Sequence, residues 1–231
     1  MKNLVKFTVI ILLSMFFTSC KKDEKVSTSK QVVNNPVIKV IDTDFSKGRL
    51  ALEHTITLKD VEKFHGHLCD GLVVGFLGLK QAFKVLYPSG IIDRTNTRIV
   101  TKSSPCLTDV AAYLTGGRYQ FNTYYVSNDI KGLFVVQRID NHKTVVVNLK
   151  KGLSNPKMNQ LGSLAVKGQL SACGLDSLKV LEKEFSAFLL KTNPKDNFII
   201  AEITDFKWQP VLKNDFLKTD VINKNKPQCN L

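Results

Sequence analysis

The spacing of apolar residues divides the chain into short β-type segments and a few longer helical ones. Over residues 72–86 apolar side chains recur at helical intervals, as Leu72, Phe76, Leu79, Phe83 and Leu86. Pro88 and Gly90 end that run. Thr57-Leu58-Lys59-Asp60 has the form of a capping box and predicts a short helix ending near Phe64, with Gly66 permitting the turn that follows. Ser104-Pro105 joins an N-cap residue to a proline suited to the first helical position. That helix carries Val110, Tyr113 and Leu114 and stops at Gly116-Gly117. Residues 175–190 form a further amphipathic helix. Residues 37–40 and the β-branched run Thr97–Thr101 read as strands. Residues 123–127, 133–139 and Thr144–Leu149 follow, with Asn128-Asp129, Gly132 and Asp140-Asn141 as turn residues, and predict an antiparallel meander. Phe198–Ile203 is nearly all apolar and is expected in the centre of the sheet. Tight turns between strands, with the helices partly segregated, argue for a single α+β domain: an antiparallel sheet (β-meander) packed with helices.

The N-terminus follows a different pattern. Lys2 and Lys6 precede an apolar stretch over residues 7–17, interrupted only by Thr8 and Ser14. A stretch of that length suits the core of a signal peptide, whereas a bilayer span needs about 20 residues. Phe17-Thr18-Ser19-Cys20 resembles a lipobox, with Phe17 where leucine is usual. Residues 21–35 are almost wholly polar and read as a flexible tether. Lys21-Lys22-Asp23-Glu24 resembles the charged export signals that follow the lipid-bearing cysteine in some bacterial surface lipoproteins. The expected organisation is therefore a signal peptide over 1–19, lipidated Cys20 and tether over 20–35, a domain over 36–215 and a polar tail over 216–231. The expected location is the cell envelope, with the membrane as partner through the lipid.

About 195 residues remain for the folded part, enough for one domain with a sizeable core. The chain carries 33 basic and 20 acidic residues, a net charge of +13, which raises the question of nucleic acid. The lysines are spread along the chain, and export separates the protein from nucleic acid. The charge is read as solubility and attraction to anionic membrane, with no nucleic-acid partner. After Cys20 the cysteines are Cys69, Cys106, Cys173 and Cys229. An oxidising compartment usually pairs such cysteines, and four allow three full pairings. Unpaired survival needs a reason, such as a bound metal.

The candidate chemistry lies in Phe64-His65-Gly66-His67-Leu68-Cys69-Asp70-Gly71. In an extended or turning segment His65, His67 and Cys69 can converge. In a helix His65 and Cys69 share a face and His67 points away. Imidazole nitrogen and thiolate sulfur suit zinc or another borderline-soft transition metal. Cys106 stands at the start of the helix that begins at Ser104-Pro105, where a thiolate is favoured. Asp109, three residues on, is placed to orient a histidine ligand through a hydrogen bond. The plainer alternatives are histidines bonded to backbone at a turn and a Cys106 that is simply a small buried residue. Cys173 is a further ligand, a disulfide partner or, as the favoured reading, part of the core. Cys229 falls in the polar tail, His142 in a solvated turn, and His54 has no evident partner.

Together these residues resemble the FmdE family of formylmethanofuran dehydrogenase proteins. The resemblance rests on His65-Gly66-His67-Leu68-Cys69, Gly71 and a glycine-punctuated apolar helix, then Cys106, Asp109, Thr115, Gly116 and the meander. It covers roughly residues 56–150. It implies the family's α+β core, an intertwined homodimer and a metal site at His65, His67, Cys69 and Cys106, with Asp109 behind them. Asp70 stands where the family usually has proline, Gly117 where it often has a second cysteine, and Gln120-Phe121 replace a lysine-glycine stretch. There is no CxxC pair, and formylmethanofuran oxidation is not carried over to an exported protein.

Three functions follow. The first is a metal-binding domain around one transition metal, most simply zinc; an open coordination position would make it an enzyme on a small molecule by admitting water or substrate and acidifying that water toward about 7. The second is a non-catalytic envelope metal carrier or sensor, for which four closed ligands would speak. The third is a thiol-redox protein using Cys69 and Cys106, against which the lack of CxxC and of a thioredoxin-like order counts.

Overall fold

A computed structural model describes residues 35–209 and 218–229; the signal segment, Cys20 and the tether up to residue 34 lie outside the described residues. The described residues form a mixed α+β body with six α-helices and two sheets. The smaller sheet joins β1 (Val37–Thr43), β2 (Leu50–Thr57) and β3 (Ile91–Asp93) in the order β2-β1-β3, with β1 antiparallel to β2 and parallel to β3. The larger sheet joins β4 (Thr97–Thr101), β5 (Tyr124–Val126), β6 (Phe134–Arg138), β7 (Thr144–Leu149) and β8 (Phe198–Ile203) in the order β5-β4-β6-β7-β8.

Alternation along these strands sorts their side chains onto two faces, as the period of two requires. Ile99, Phe134, Val136, Val145, Val147 and Phe198 join the main core beneath the helices. Val100, Tyr125, Val135 and Val146 form a second cluster on the opposite face, covered by Phe206 and Trp208. The main core is organised around α2 (Asp70–Leu86), which is buried on nearly all sides. A helix apolar all round belongs inside a domain, and α2 sits against the large sheet with α1 (Leu58–His65), α3 (Pro105–Thr115) and α5 (Ala172–Lys191) around it. The remaining helices are α4 (Pro156–Ala165) and the single turn α6 (Pro194–Asn197).

The local signals act where they stand in the sequence. Thr57 and Asp60 form the capping box of α1, and Gly66 closes that helix at φ 98°, in the left-handed region where glycine carries no Cβ penalty. Ser104 caps α3 through Leu107 N–H, with Pro105 behind it, and Gly116 ends the helix.

Two strand expectations are corrected. Residues 124–126 pair parallel with β4 at the sheet edge, so they are outside the meander, and each sheet contains a parallel pair. β8 is the other edge strand, not a central one; Phe198 is buried but Ile199 is 50% exposed. Its pairing with β7 is nonetheless antiparallel along the whole strand. His54 does have a partner: its Nε2 lies 3.6 Å from Asp42, which also accepts from Arg94 at 2.9 Å. Cys173 is exposed near the start of α5 and is not in the core. His142 is exposed in a turn.

Candidate metal centre

Three helix ends meet on one side of α2. α1 delivers His65 as its last residue. The left-handed turn at Gly66 then reverses the chain, so that Cys69 becomes the N-cap of α2, its sulfur accepting Leu72 N–H at 3.4 Å. α3 packs across α2 and brings Cys106, in its own first turn, to the same point. The Cys69 and Cys106 sulfurs lie 3.3 Å apart, and Cys69 Sγ lies 3.9 Å from His65 Nε2. One donor atom from each of His65, Cys69 and Cys106 falls within 4.8 Å of the other two. Both cysteines are thiols at intermediate depth, not a disulfide.

On the far side of the imidazole, His65 Nδ1–H donates to Asp109 at 2.7 Å. That bond selects the tautomer whose Nε2 lone pair faces the sulfurs, and the ring is held in place with its side chain only 7% exposed. Asp109 follows Cys106 by three residues on one helix, so a single helix face supplies both a sulfur and the carboxylate that orients the histidine. His67 is outside the converging donor group: it is exposed, and its ring lies against that of His65 with centroids 4.6 Å apart.

The two thiols share their protons unequally. The hydrogen bond from Cys69 holds the Cys106 thiol below its usual range, and the same bond, reinforced by burial, holds Cys69 far above it. Asp70, the first residue of α2, is raised by burial, although the backbone N–H groups at Gly71 and at its own position oppose that. Tyr124 stands near Asp109, its phenol pushed up to about 12 chiefly by burial, so it remains a neutral hydrogen-bonding group.

The close approach of α3 to α2 depends on residues without side chains. A Cβ on Gly71 would lie 2.8 Å from Cys106 Cβ and 2.9 Å from its sulfur. One turn on, a Cβ on Gly75 would lie 3.1 Å from a Val110 methyl. The glycines of α2 are thus spaces for α3, and Gly71 is the space for Cys106 itself. In the sequence Gly71 stands within the histidine-cysteine motif, and its four-residue spacing from Gly75 is the signal for that role. Nothing in the sequence pointed to Tyr124.

The donor set fits a metal ion. Two sulfurs and one oriented imidazole nitrogen are ligands of borderline-soft metals, and ligands of one zinc ion are expected roughly 3.5–3.8 Å apart; the sulfurs at 3.3 Å would open by a few tenths of an ångström, and all three donors already lie within 4.8 Å of one another.

The fold and this group define an α+β protein with a His-Cys-Cys centre built at converging helix ends. The family profile described as "FmdE, Molybdenum formylmethanofuran dehydrogenase operon" matches residues 64–198, more than half of the chain, and the chain belongs to that family. The match takes in His65, Cys69, Cys106 and Asp109 and ends at the first residue of β8. No curated protein matches the chain.

Proposed function

We propose that this is a lipid-anchored envelope protein whose His65, Cys69 and Cys106 hold one transition metal ion, zinc suiting the donors best, to act on a small molecule. The observation that carries the reading is the convergence of three donor atoms within 4.8 Å, with Asp109 fixing the imidazole behind them. Among the described residues three donors converge, and three protein ligands favour an enzyme over a closed carrier site. When bound, the metal would supply Lewis acidity at the position the protein leaves open. The chain's own groups prepare that position. Asp109 holds the His65 tautomer, the hydrogen bond from Cys69 favours Cys106 sulfur in its anionic form, and the α1–α2 turn fixes the spacing of His65 and Cys69. Asp109→Asn is expected to weaken zinc affinity by about 10–100-fold with little change in thermal stability, measured by competition against a chromophoric chelator. Unchanged affinity would remove Asp109 from the site.

The anchor rests on the segment before the domain: the short apolar core over residues 7–17, Cys20 and a polar tether. Among the described residues no helix is long and apolar enough to cross a membrane. Cys20→Ala is expected to lose the lipid and leave the membrane fraction; detergent-phase partition like the wild type would contradict the anchor.

The homodimer rests on apolar surface exposed among the described residues. Val166, after α4, is 86% exposed, Leu175 and Val180 on α5 are 51% and 55% exposed, and β8 offers an open edge beside Ile199. Light scattering on the protein lacking its first 35 residues is expected to give twice the chain mass. A clean monomer across micromolar concentrations would contradict it.

A further inference from the structure

We infer that Cys69 and Cys106 form a reversible redox switch that empties the metal site when they join as a disulfide. The inference rests on the metal reading above and concerns its regulation. Its basis is the sulfur separation of 3.3 Å between two reduced cysteines. A disulfide needs its sulfurs at about 2.05 Å, so the pair closes by little more than 1 Å. Both sulfurs stand at helix starts whose positions the fold has already set, one at the N-cap of α2 and one in the first turn of α3. The bare Cα of Gly71, over which the Cys106 side chain lies, leaves no Cβ to resist that closure. Neither cysteine is fully buried, so a small reagent can reach the pair.

The oxidant is a disulfide-bearing thiol compound, and the step is exchange. One protein thiolate attacks a sulfur of the reagent, forming a mixed disulfide and expelling the first reagent thiolate. The second protein thiolate attacks its neighbour, forming the Cys69–Cys106 bond and expelling the second. The protein loses two electrons and the two protons of its thiols; the reagent gains them as two free thiols. The product has no thiolate left to bind a metal, and His65 alone remains of the donor set. Metal and disulfide therefore exclude one another. A metal present at a given multiple of its Kd leaves the dithiol free for only the reciprocal fraction of the time and slows oxidation in proportion. At 100 times Kd the expected slowing is about 100-fold.

The test uses the full-length protein with Cys173→Ser and Cys229→Ser, so that the pair is not confused with other cysteines of the folded part. The protein is treated with oxidised glutathione, with and without zinc. Peptide mapping without reductant is expected to find the Cys69–Cys106 link, zinc capacity is expected to fall from one per chain to none, and dithiothreitol is expected to restore it. Cys69→Ser, added to the same background, is expected to stop at a glutathione adduct on Cys106. Persistent free thiols, or a mapped disulfide that leaves zinc capacity unchanged, would overturn the switch. Failure of the metal reading would look different: the reduced protein would take up no zinc before any oxidant was added, whatever the mapping then showed of the disulfide.

Discussion

Cys106→Ala is expected to lower zinc affinity by more than about 100-fold, beyond the usual cost of losing a group that merely orients a ligand. The fold is expected to survive it. Cys106 is only partly buried, alanine is the best helix former, and Ser104 and Pro105 continue to start α3. The structure makes the expectation sharp, because Cys106 is the one donor that α3 contributes, and without it His65 and Cys69 remain as a two-point site. The wild-type site carries a pH signature that the variant loses in part. Coordination requires thiolates and an unprotonated Nε2, so protons leave as the metal enters and affinity weakens as pH falls. Cys69 still holds its proton at neutral pH, because of its bond to Cys106 and its burial, so metal entry must displace that proton. Each displaced proton gives about a tenfold gain in affinity per pH unit, and chelator competition between pH 6 and 8 reads the slope. A slope of zero would contradict thiolate coordination.

Gly71→Ala is expected to damage the site while leaving every ligand residue in the sequence. Its Cβ would meet Cys106 Cβ at 2.8 Å and its sulfur at 2.9 Å, distances that real contacts do not tolerate. Either α3 moves away from α2 or Cys106 turns out of the site. Overpacking of this kind costs about 1–3 kcal/mol, and zinc affinity is expected to fall by at least about 10-fold. Gly75→Ala is the matched comparison. There the Cβ meets Val110 side-chain atoms at 3.1–3.3 Å, so stability is expected to drop while zinc affinity changes little. Equal losses of affinity in both variants would mean that helix spacing in general, not the seat of Cys106, controls the site. Thermal melts paired with zinc titrations separate the two effects.

The parts of this fold written in local chemistry were legible, and the parts that depend on partners were not. Thr57 to Asp60, Ser104-Pro105 and Gly116 bound α1 and α3 because capping involves residues only a few positions apart. The strand over residues 124–126 was visible as a β-branched and aromatic run, but nothing in such a run states which neighbour it will take, and it joined β4 in parallel. An apolar run such as Phe198–Ile203 reads the same way at the centre of a sheet and at its edge. Cys173 was misplaced because α5 extends its N-terminal turn into solvent, which apolar spacing further along the helix does not reveal. α4 had its own Asn155-Pro156 start but too weak an apolar stripe to stand out.

The candidate site divides in the same way. The His65–Cys69 spacing and the Cys106–Asp109 spacing are local and could be read directly from the sequence. The meeting of the two pairs is tertiary; it depends on α3 crossing α2 over Gly71 and Gly75, and only the resemblance to FmdE proteins suggested it beforehand. His67 stays outside the converging group, its ring against that of His65, beyond a left-handed turn at Gly66 that the sequence permits but does not state.

X-ray absorption at the zinc edge tests the central claim most directly, on protein prepared without chelator or affinity tag and loaded with one equivalent of zinc. The expected first shell contains two sulfur neighbours at about 2.3 Å and imidazole nitrogen at about 2.0–2.1 Å, and it loses one sulfur in Cys106→Ala. A wild-type first shell of oxygen and nitrogen alone, or protein that retains no metal, would contradict a His65–Cys69–Cys106 centre.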